Sequence, residues 1–261
     1  MSVPIITYHA IGAGPPPVWT SLQMFDSHLA AFATQGYRTV TLAALLGALR
    51  GGPPLPKRSL VLTFDDGYQS IYDDVWPRLR ARGFGATVFL ISDYCGRDNR
   101  WPGQPNTMPT APLLTWEQIA ELAADGCEFG AHTRTHPALP TLPPAMVEEE
   151  IVVSKDVICE HTGQAVRSFC YPYGAANPAV CAVVRRCFDG AVGTELGLAR
   201  PGCDPFLLPR LDAFYLHPVM IAYLDGTLVH QYLRVRQSLR TIRRHFMPDW
   251  TPAAGLGTPN G

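Results

Sequence analysis

Leu60-Val61-Leu62-Thr63-Phe64-Asp65-Asp66-Gly67 decides the fold of this chain. From Leu60 to Phe64 the run is apolar or β-branched and reads as a short buried strand. Two adjacent carboxylates and a glycine close it. Such an ending stabilises a strand poorly: the charges repel, and burying either is costly unless a cation neutralises it. Further along, Cys127 to Ala131 is again strand-like and ends in His132-Thr133-Arg134-Thr135-His136, two imidazoles four residues apart. Asp66, His132 and His136 together would make a His/His/carboxylate metal site with an open position for water, leaving Asp65 free as a base. An isolated Asp-Asp pair is more often a solvated strand end, and an isolated His-x-x-x-His is more often chance. Here each stands at the carboxyl end of a strand, where strand–helix barrels gather their active sites.

Outward from these stretches, strands alternate with helices. Val3–Tyr8 reads as a first strand ending at His9. Phe25, Leu29 and Phe32 mark a helix stopped by Gly36, and Thr41 caps a helix over Leu42–Leu49. Ile71–Arg82 is helical by pattern and Ala86–Ile91 is a strand. Asp93–Leu113, rich in Pro, Gly and Asn, reads as a long rim or lid. Thr115-Trp116-Glu117-Gln118 is a capping box. A helix from Pro144 to about His161, a strand Val166–Tyr171, a helix Pro178–Arg186 and a short strand Gly190–Gly193 follow. His28 and His161 fall in helical patterns and are expected at the surface. The alternation predicts an α/β fold with a mainly parallel sheet, closed or distorted into a barrel.

The chain has 261 residues, enough for one large α/β domain. With 47% hydrophobic and 16% charged residues it is globular and not disordered. A formal net charge of −1 leaves no basic field for bulk nucleic-acid binding. Met1-Ser2-Val3-Pro4-Ile5-Ile6 offers neither a basic nor a long apolar segment, so no signal peptide is expected, and no window reaches membrane-span length. Seven scattered cysteines without C-x-x-C point to free thiols in a reducing compartment. A cytoplasmic protein is expected. Leu228, Tyr232, Val235, Leu239, Ile242 and Phe246 form one helical stripe with Arg234, Arg236, Arg240, Arg243 and Arg244 mostly off it. The expected division is a catalytic domain over 1–215, a basic amphipathic helix over 216–248 and a disordered tail over 249–261. The 228–246 helix would pack on the barrel, self-associate, or attach to an anionic membrane surface.

Thr63–Gly67 and His132–His136 resemble the first two motifs of the polysaccharide deacetylases, the NodB-like metal-dependent carbohydrate esterases. The likeness runs from about Val3 to Leu211. It implies a distorted (β/α) barrel, Asp65 as general base, and a metal on Asp66, His132 and His136, usually zinc, with cobalt, nickel or iron able to serve. The implied activity is hydrolysis of an N-acetyl group on an amino sugar, glycan or glycoconjugate, with acetate released. Phe169-Cys170-Tyr171-Pro172-Tyr173-Gly174 stands for the third motif. Tyr173 matches the residue whose backbone N–H stabilises the oxyanion, but Cys170 occupies the position of the arginine that orients the base. Arg210 is a candidate replacement, with a surface arginine after Pro209 as the equal alternative. The late histidine that would act as general acid has no clear counterpart. His217 is a weak substitute, whereas His9 resembles the N-terminal histidine of the poly-N-acetylglucosamine deacetylase branch. Hydrolysis of a non-sugar linear amide and a non-catalytic carbohydrate-binding role remain alternatives.

Overall fold

The computed structural model describes residues 2–224, 231, 235 and 236. The expected helix over 228–246 and tail over 249–261 fall almost wholly outside them. In chain order the elements are β1 (Ile5–Tyr8), β2 (Ala10–Ile11), β3 (Trp19–Thr20), α1 (Leu22–Thr34), β4 (Arg38–Thr39), α2 (Leu42–Leu49) and β5 (Ser59–Phe64). Then come α3 (Trp76–Arg80), β6 (Thr87–Leu90), α4 (Trp116–Ala124), β7 (Glu128–Ala131), α5 (Pro144–Thr162), β8 (Ser168–Cys170), α6 (Pro178–Cys187), β9 (Gly190–Leu196), β10 (Leu208–Asp212) and α7 (Pro218–Ile221). Seven parallel strands pair in the order β1-β10-β9-β8-β7-β6-β5, and β5 closes back onto β1 with Ile5 opposite Val61 and Tyr8 opposite Phe64. The result is a distorted NodB-like (β/α) barrel, the fold expected from the sequence. β4 pairs with the first residues of β5.

Side chains of a strand alternate between faces, so each barrel strand reads in steps of two. Ile5, Val61 and Leu208 share one buried cluster with Leu42, Leu45 and Leu46 of α2. Thr41 caps α2 by accepting from the Ala44 N–H. The Leu42 N–H donates to Thr87 Oγ1, and the Ala43 N–H donates to the Glu128 carboxylate. Those partners begin β6 and β7, so α2 lies across the amino-terminal mouth of the barrel. Two residues further on, each strand turns polar: Thr7 then His9, Thr63 then Asp65, Arg210 then Asp212. An apolar plug at one end therefore leaves the polar groups to meet at the carboxyl ends, as in other strand–helix barrels.

Two local expectations are corrected. The pattern over Ile71–Arg82 is not one α-helix: a π-turn over Ile71–Val75 precedes α3. Pro77 lacks the N–H that a continuous i→i−4 ladder needs. His28 is fully buried, not exposed: it shares the inner face of α1 with Phe25, Leu29 and Phe32. One ring nitrogen bonds the Tyr8 hydroxyl at 2.9 Å and the other the Leu216 carbonyl at 2.6 Å. Burial lowers its pKa, against the upward pull of the Leu216 carbonyl and with a smaller lowering from His217. A base whose folded pKa lies below the unfolded value of about 6.5 stabilises fully above that pH and loses the contribution on acidification. Between pH 7.5 and 5.5 the denaturant midpoint of the wild type is expected to fall more than that of His28→Gln. Parallel pH profiles would refute this.

Candidate active site

In a regular strand Asp65 and Asp66 would point to opposite faces. Asp65 continues β5, its N–H donating to the Tyr8 carbonyl at 2.9 Å. Asp66 then takes φ 70°, which breaks the alternation and lets both carboxylates line one mouth. The histidine stretch is bent in the same way. The His132 N–H extends the β6–β7 pairing to the Leu90 carbonyl, Thr133 has φ 68°, and His136 has φ 62° with its N–H on Thr133 Oγ1. Glu150 of α5 holds this loop from behind, accepting from the backbone of Arg134 and Thr135 and from the Thr135 hydroxyl. Tyr173, at φ 58°, follows β8. Among the described residues, four of the five non-glycine ones in left-handed conformation thus belong to these loops. Such backbone costs about 1–3 kcal/mol per residue and concentrates at working sites.

Asp66 Oδ1 lies 3.4 Å from His132 Nε2 and 3.6 Å from His136 Nε2, and the two Nε2 atoms are 3.2 Å apart. With ligand bonds near 2.0–2.1 Å, the edges of a tetrahedral site measure about 3.3–3.4 Å. The triangle therefore fits one face of such a site, and its oxygen and two nitrogens are donors that zinc accepts. Each ring is oriented through its other nitrogen. The His132 Nδ1–H donates to the Cys170 carbonyl at 2.7 Å, and His136 Nδ1 meets the Tyr173 hydroxyl at 3.1 Å. Hydrogen bonds of this kind fix the tautomer that turns Nε2 to a metal. Burial, and then the neighbouring His132, push the His136 pKa down to about 3, whereas at His132 burial is outweighed by Cys170 and Asp66 and the pKa is raised, so an ion bound here would have to displace the His132 proton.

Asp65 is held differently. Burial alone would raise its pKa, but the Arg210 guanidinium, helped by His9 and His132, outweighs burial and keeps the carboxyl ionised well below the usual range. The pair is bidentate, Nη1 to Oδ1 and Nη2 to Oδ2, both at 2.8 Å. Arg210 Nε also donates to the Gly193 carbonyl at 2.9 Å, and Nη2 lies 3.2 Å from Cys170 Sγ. His9 Nε2 approaches Asp65 Oδ2 at 3.8 Å from the solvent side.

The sequence profile of the polysaccharide deacetylases matches residues 52–187. The chain belongs to this family. The chain is 28% identical over 214 residues to the Bacillus subtilis protein YxkH, itself assigned to the polysaccharide deacetylases, covering 80% of this chain and 70% of that one. Over 101 residues it is 36% identical to the poly-β-1,6-N-acetyl-D-glucosamine N-deacetylase of Escherichia coli, 38% of this chain but 15% of that protein. Among solved structures, IcaB from Ammonifex degensii superposes with a TM-score of 0.72 at 26% identity, covering 89% of this chain and 97% of that one. The Streptococcus pyogenes deacetylase PplD has the same fold, with a TM-score of 0.73 at 24% identity over 88% and 98% of the two chains.

Asp65, Asp66, His9, His132, His136, Tyr173 and Arg210 line one cleft of about 190 Å³. Arg210 is buried and paired, so the surface alternative for it is excluded. His217 is exposed and caps α7 through Nδ1, apart from the cleft-lining residues. Residues not singled out in the sequence complete the wall: Tyr68, Trp101 and Gln104. Trp101 packs its ring 4.8 Å from that of His136. Its loop carries little periodicity, and only the loop's unusual length marked it as a rim.

Proposed function

We propose that this chain is a metal-dependent N-deacetylase that releases acetate from an N-acetylated amino sugar in a glycan or glycoconjugate. The observation that carries this reading is the division of labour between two neighbouring aspartates. Asp66 completes a donor triangle with His132 and His136, while Asp65 is clamped by Arg210 beside His9 in the same cleft. Asp66, His132 and His136 would hold the divalent ion, for which their donor set favours zinc. When bound there, the ion supplies a lowered pKa for a water and polarisation of the acyl oxygen.

The chain's own residues account for the rest. A carboxylate held as low as Asp65 is a weak base, so it can take a proton only from a water whose pKa has itself been lowered. Base and ligand triangle must therefore act together. Asp65 accepts that proton as the water oxygen bonds to the acyl carbon. The Tyr173 N–H donates to the oxygen on which negative charge develops, a contribution worth several kcal/mol in a closed site. His9, reachable from solvent, delivers a proton to the amine nitrogen as the C–N bond breaks. The products are acetate and a free amino sugar.

Acetate release should be followed from N-acetylglucosamine oligomers and from non-sugar acetamides, before chelation, after it, and after re-addition of zinc, cobalt, nickel or iron. Release from the sugars is expected to be lost on chelation and restored by metal. Release that persists in metal-free protein would overturn the ligand assignment, and release confined to the non-sugar amides would overturn the substrate class.

A further inference from the structure

The rim loop over residues 93–113 touches the loop that carries His132 and His136 at two points. At its start, the Ser92 N–H donates to the Thr133 carbonyl at 3.2 Å and the Asp93 N–H to the Arg134 carbonyl at 3.0 Å. The Arg134 side chain returns across the same gap. Its Nη2 donates to Asp93 Oδ2 at 3.0 Å and its Nε to Oδ1 at 3.4 Å, while Nη1 reaches Glu149 of α5. Further on, the buried Trp101 ring packs against those of Tyr94 and His136, with centroids 5.9 and 4.8 Å away. One contact therefore falls between the two histidines and the other on the second of them.

The rim loop is built as one piece. Asn99 is buried at its centre: its N–H donates to the Ala111 carbonyl at 3.1 Å, its Oδ1 accepts from the Ala111 N–H at 2.9 Å, and its Nδ2 donates to the Pro109 carbonyl at 3.0 Å. The Leu113 N–H closes on the Arg97 carbonyl at 2.9 Å. These bonds join the outgoing and returning halves, so Asp93, Trp101 and the cleft-lining Gln104 belong to one unit. Trp101 is held by its ring alone. Its N–H makes no hydrogen bond among the described residues, although it lies near enough to the Tyr173 hydroxyl to be felt there. Burying an unpaired N–H is costly, so what the residue supplies here is cover for His136.

We infer that Arg134 and Trp101 are positioning residues for an ion held by Asp66, His132 and His136, and that filling this site and ordering the rim loop promote each other. The inference rests on the ligand assignment above and on no step of the reaction. A histidine loop that must be ordered as the ion arrives subtracts that cost from affinity, whereas one already held by the rim does not. Linkage makes the effect reciprocal: the bound ion firms the wall that Trp101 and Gln104 give the cleft. Charge alone predicts the opposite for Arg134. Its removal would leave Asp93, Glu149 and Glu150 beside the loop without their shared cation, and a metal ion would then bind more tightly.

The test uses the full chain stripped of metal. Zinc affinity is read by competition with a chromophoric chelator, and amide exchange over 93–113 is followed by mass spectrometry. The denaturant midpoint of the metal-free protein is the control. Zinc is expected to slow exchange over 93–113 in wild type. Arg134→Met and Trp101→Ala are each expected to weaken zinc binding about 10–100-fold, the usual effect of removing a group that orients a ligand. Both are expected to lessen the protection that zinc gives the rim. The metal-free midpoint of Arg134→Met should match wild type, since its ion pairs are partly exposed and add little to stability. Trp101→Phe keeps a ring on His136 and loses no hydrogen bond, so its zinc affinity should stay near that of wild type. Zinc affinity unchanged or raised in Arg134→Met would overturn the inference, as would zinc that leaves rim exchange unaltered in wild type. A loss in Trp101→Phe as large as that in Trp101→Ala would overturn the role given to the ring. Wild type that binds no zinc would instead overturn the ligand assignment, and the coupling with it.

Discussion

Asp65→Asn is expected to lower acetate release about 10²–10⁴-fold, the usual contribution of a positioned general base, while the folded protein keeps its metal. Asp66→Asn is expected to lose the metal and, with it, turnover. The contrast follows from geometry. Asp66 Oδ1 is the carboxylate atom facing both His132 Nε2 and His136 Nε2, whereas both oxygens of Asp65 are occupied by Arg210. Asp65→Asn has a second consequence, since it leaves the buried Arg210 charge without a counter-charge. Removing one partner of a buried pair costs about 3–5 kcal/mol. Turnover and metal content are therefore to be read per folded molecule, at a temperature where circular dichroism shows the variant intact. Near-normal turnover in folded Asp65→Asn would mean that another group is the base. Loss of metal in it would mean that the two aspartates do not divide the work as assigned.

The barrel was legible because its strands are short apolar runs ended by glycine or by chemistry-bearing residues, and because the helix caps at Thr41 and Thr115 are local. The cleft was legible where two motifs each stood at a strand end. What stayed hidden depends on parity and on contacts distant in sequence. His28 lies three residues after Phe25 and four before Phe32, so its position alone put it on the buried stripe of α1. Its residue type argued for the surface, and the buried Tyr8 and Leu216 partners that reverse that argument are invisible in the local pattern. β10 was obscured by Pro209, which cannot donate to a ladder and is tolerated in strands at irregularities. The β9–β10 register shifts between Leu208 and Arg210. Once β10 is a strand, Leu208, Arg210 and Asp212 share a face, and Arg210 follows the same apolar-to-polar step as Val61, Thr63 and Asp65. Cys170 then stops being merely a missing arginine. Its sulfur fills the room next to a guanidinium that arrives from the other side.

That relocation yields the other large effect. Arg210→Met is expected to destabilise the protein by about 3–5 kcal/mol, because the Asp65 carboxylate would be left buried without its cation. A denaturant titration against wild type reads this directly. Turnover of the folded fraction is expected to fall as well, since the base would lose the clamp that orients both its oxygens. Arg210→Lys should not rescue it. The arginine reaches the Gly193 carbonyl through Nε, Thr63 Oγ1 and Asp65 Oδ1 through Nη1, and Asp65 Oδ2 through Nη2. A single ammonium cannot reproduce that planar fork. The informative variant is the double change Cys170→Arg with Arg210→Cys, which moves the guanidinium to the strand where the family pattern has it. Cys170 Sγ lies 3.6 Å from Asp65 Oδ2, so a guanidinium carried on β8 enters the same neighbourhood. Partial recovery of stability and turnover over Arg210→Met would show that Asp65 needs the cation and not the strand that delivers it. If Arg210→Met matched wild type in both measurements, the clamp would be dispensable, and the ionised state of Asp65 would have to rest on its histidine neighbours alone.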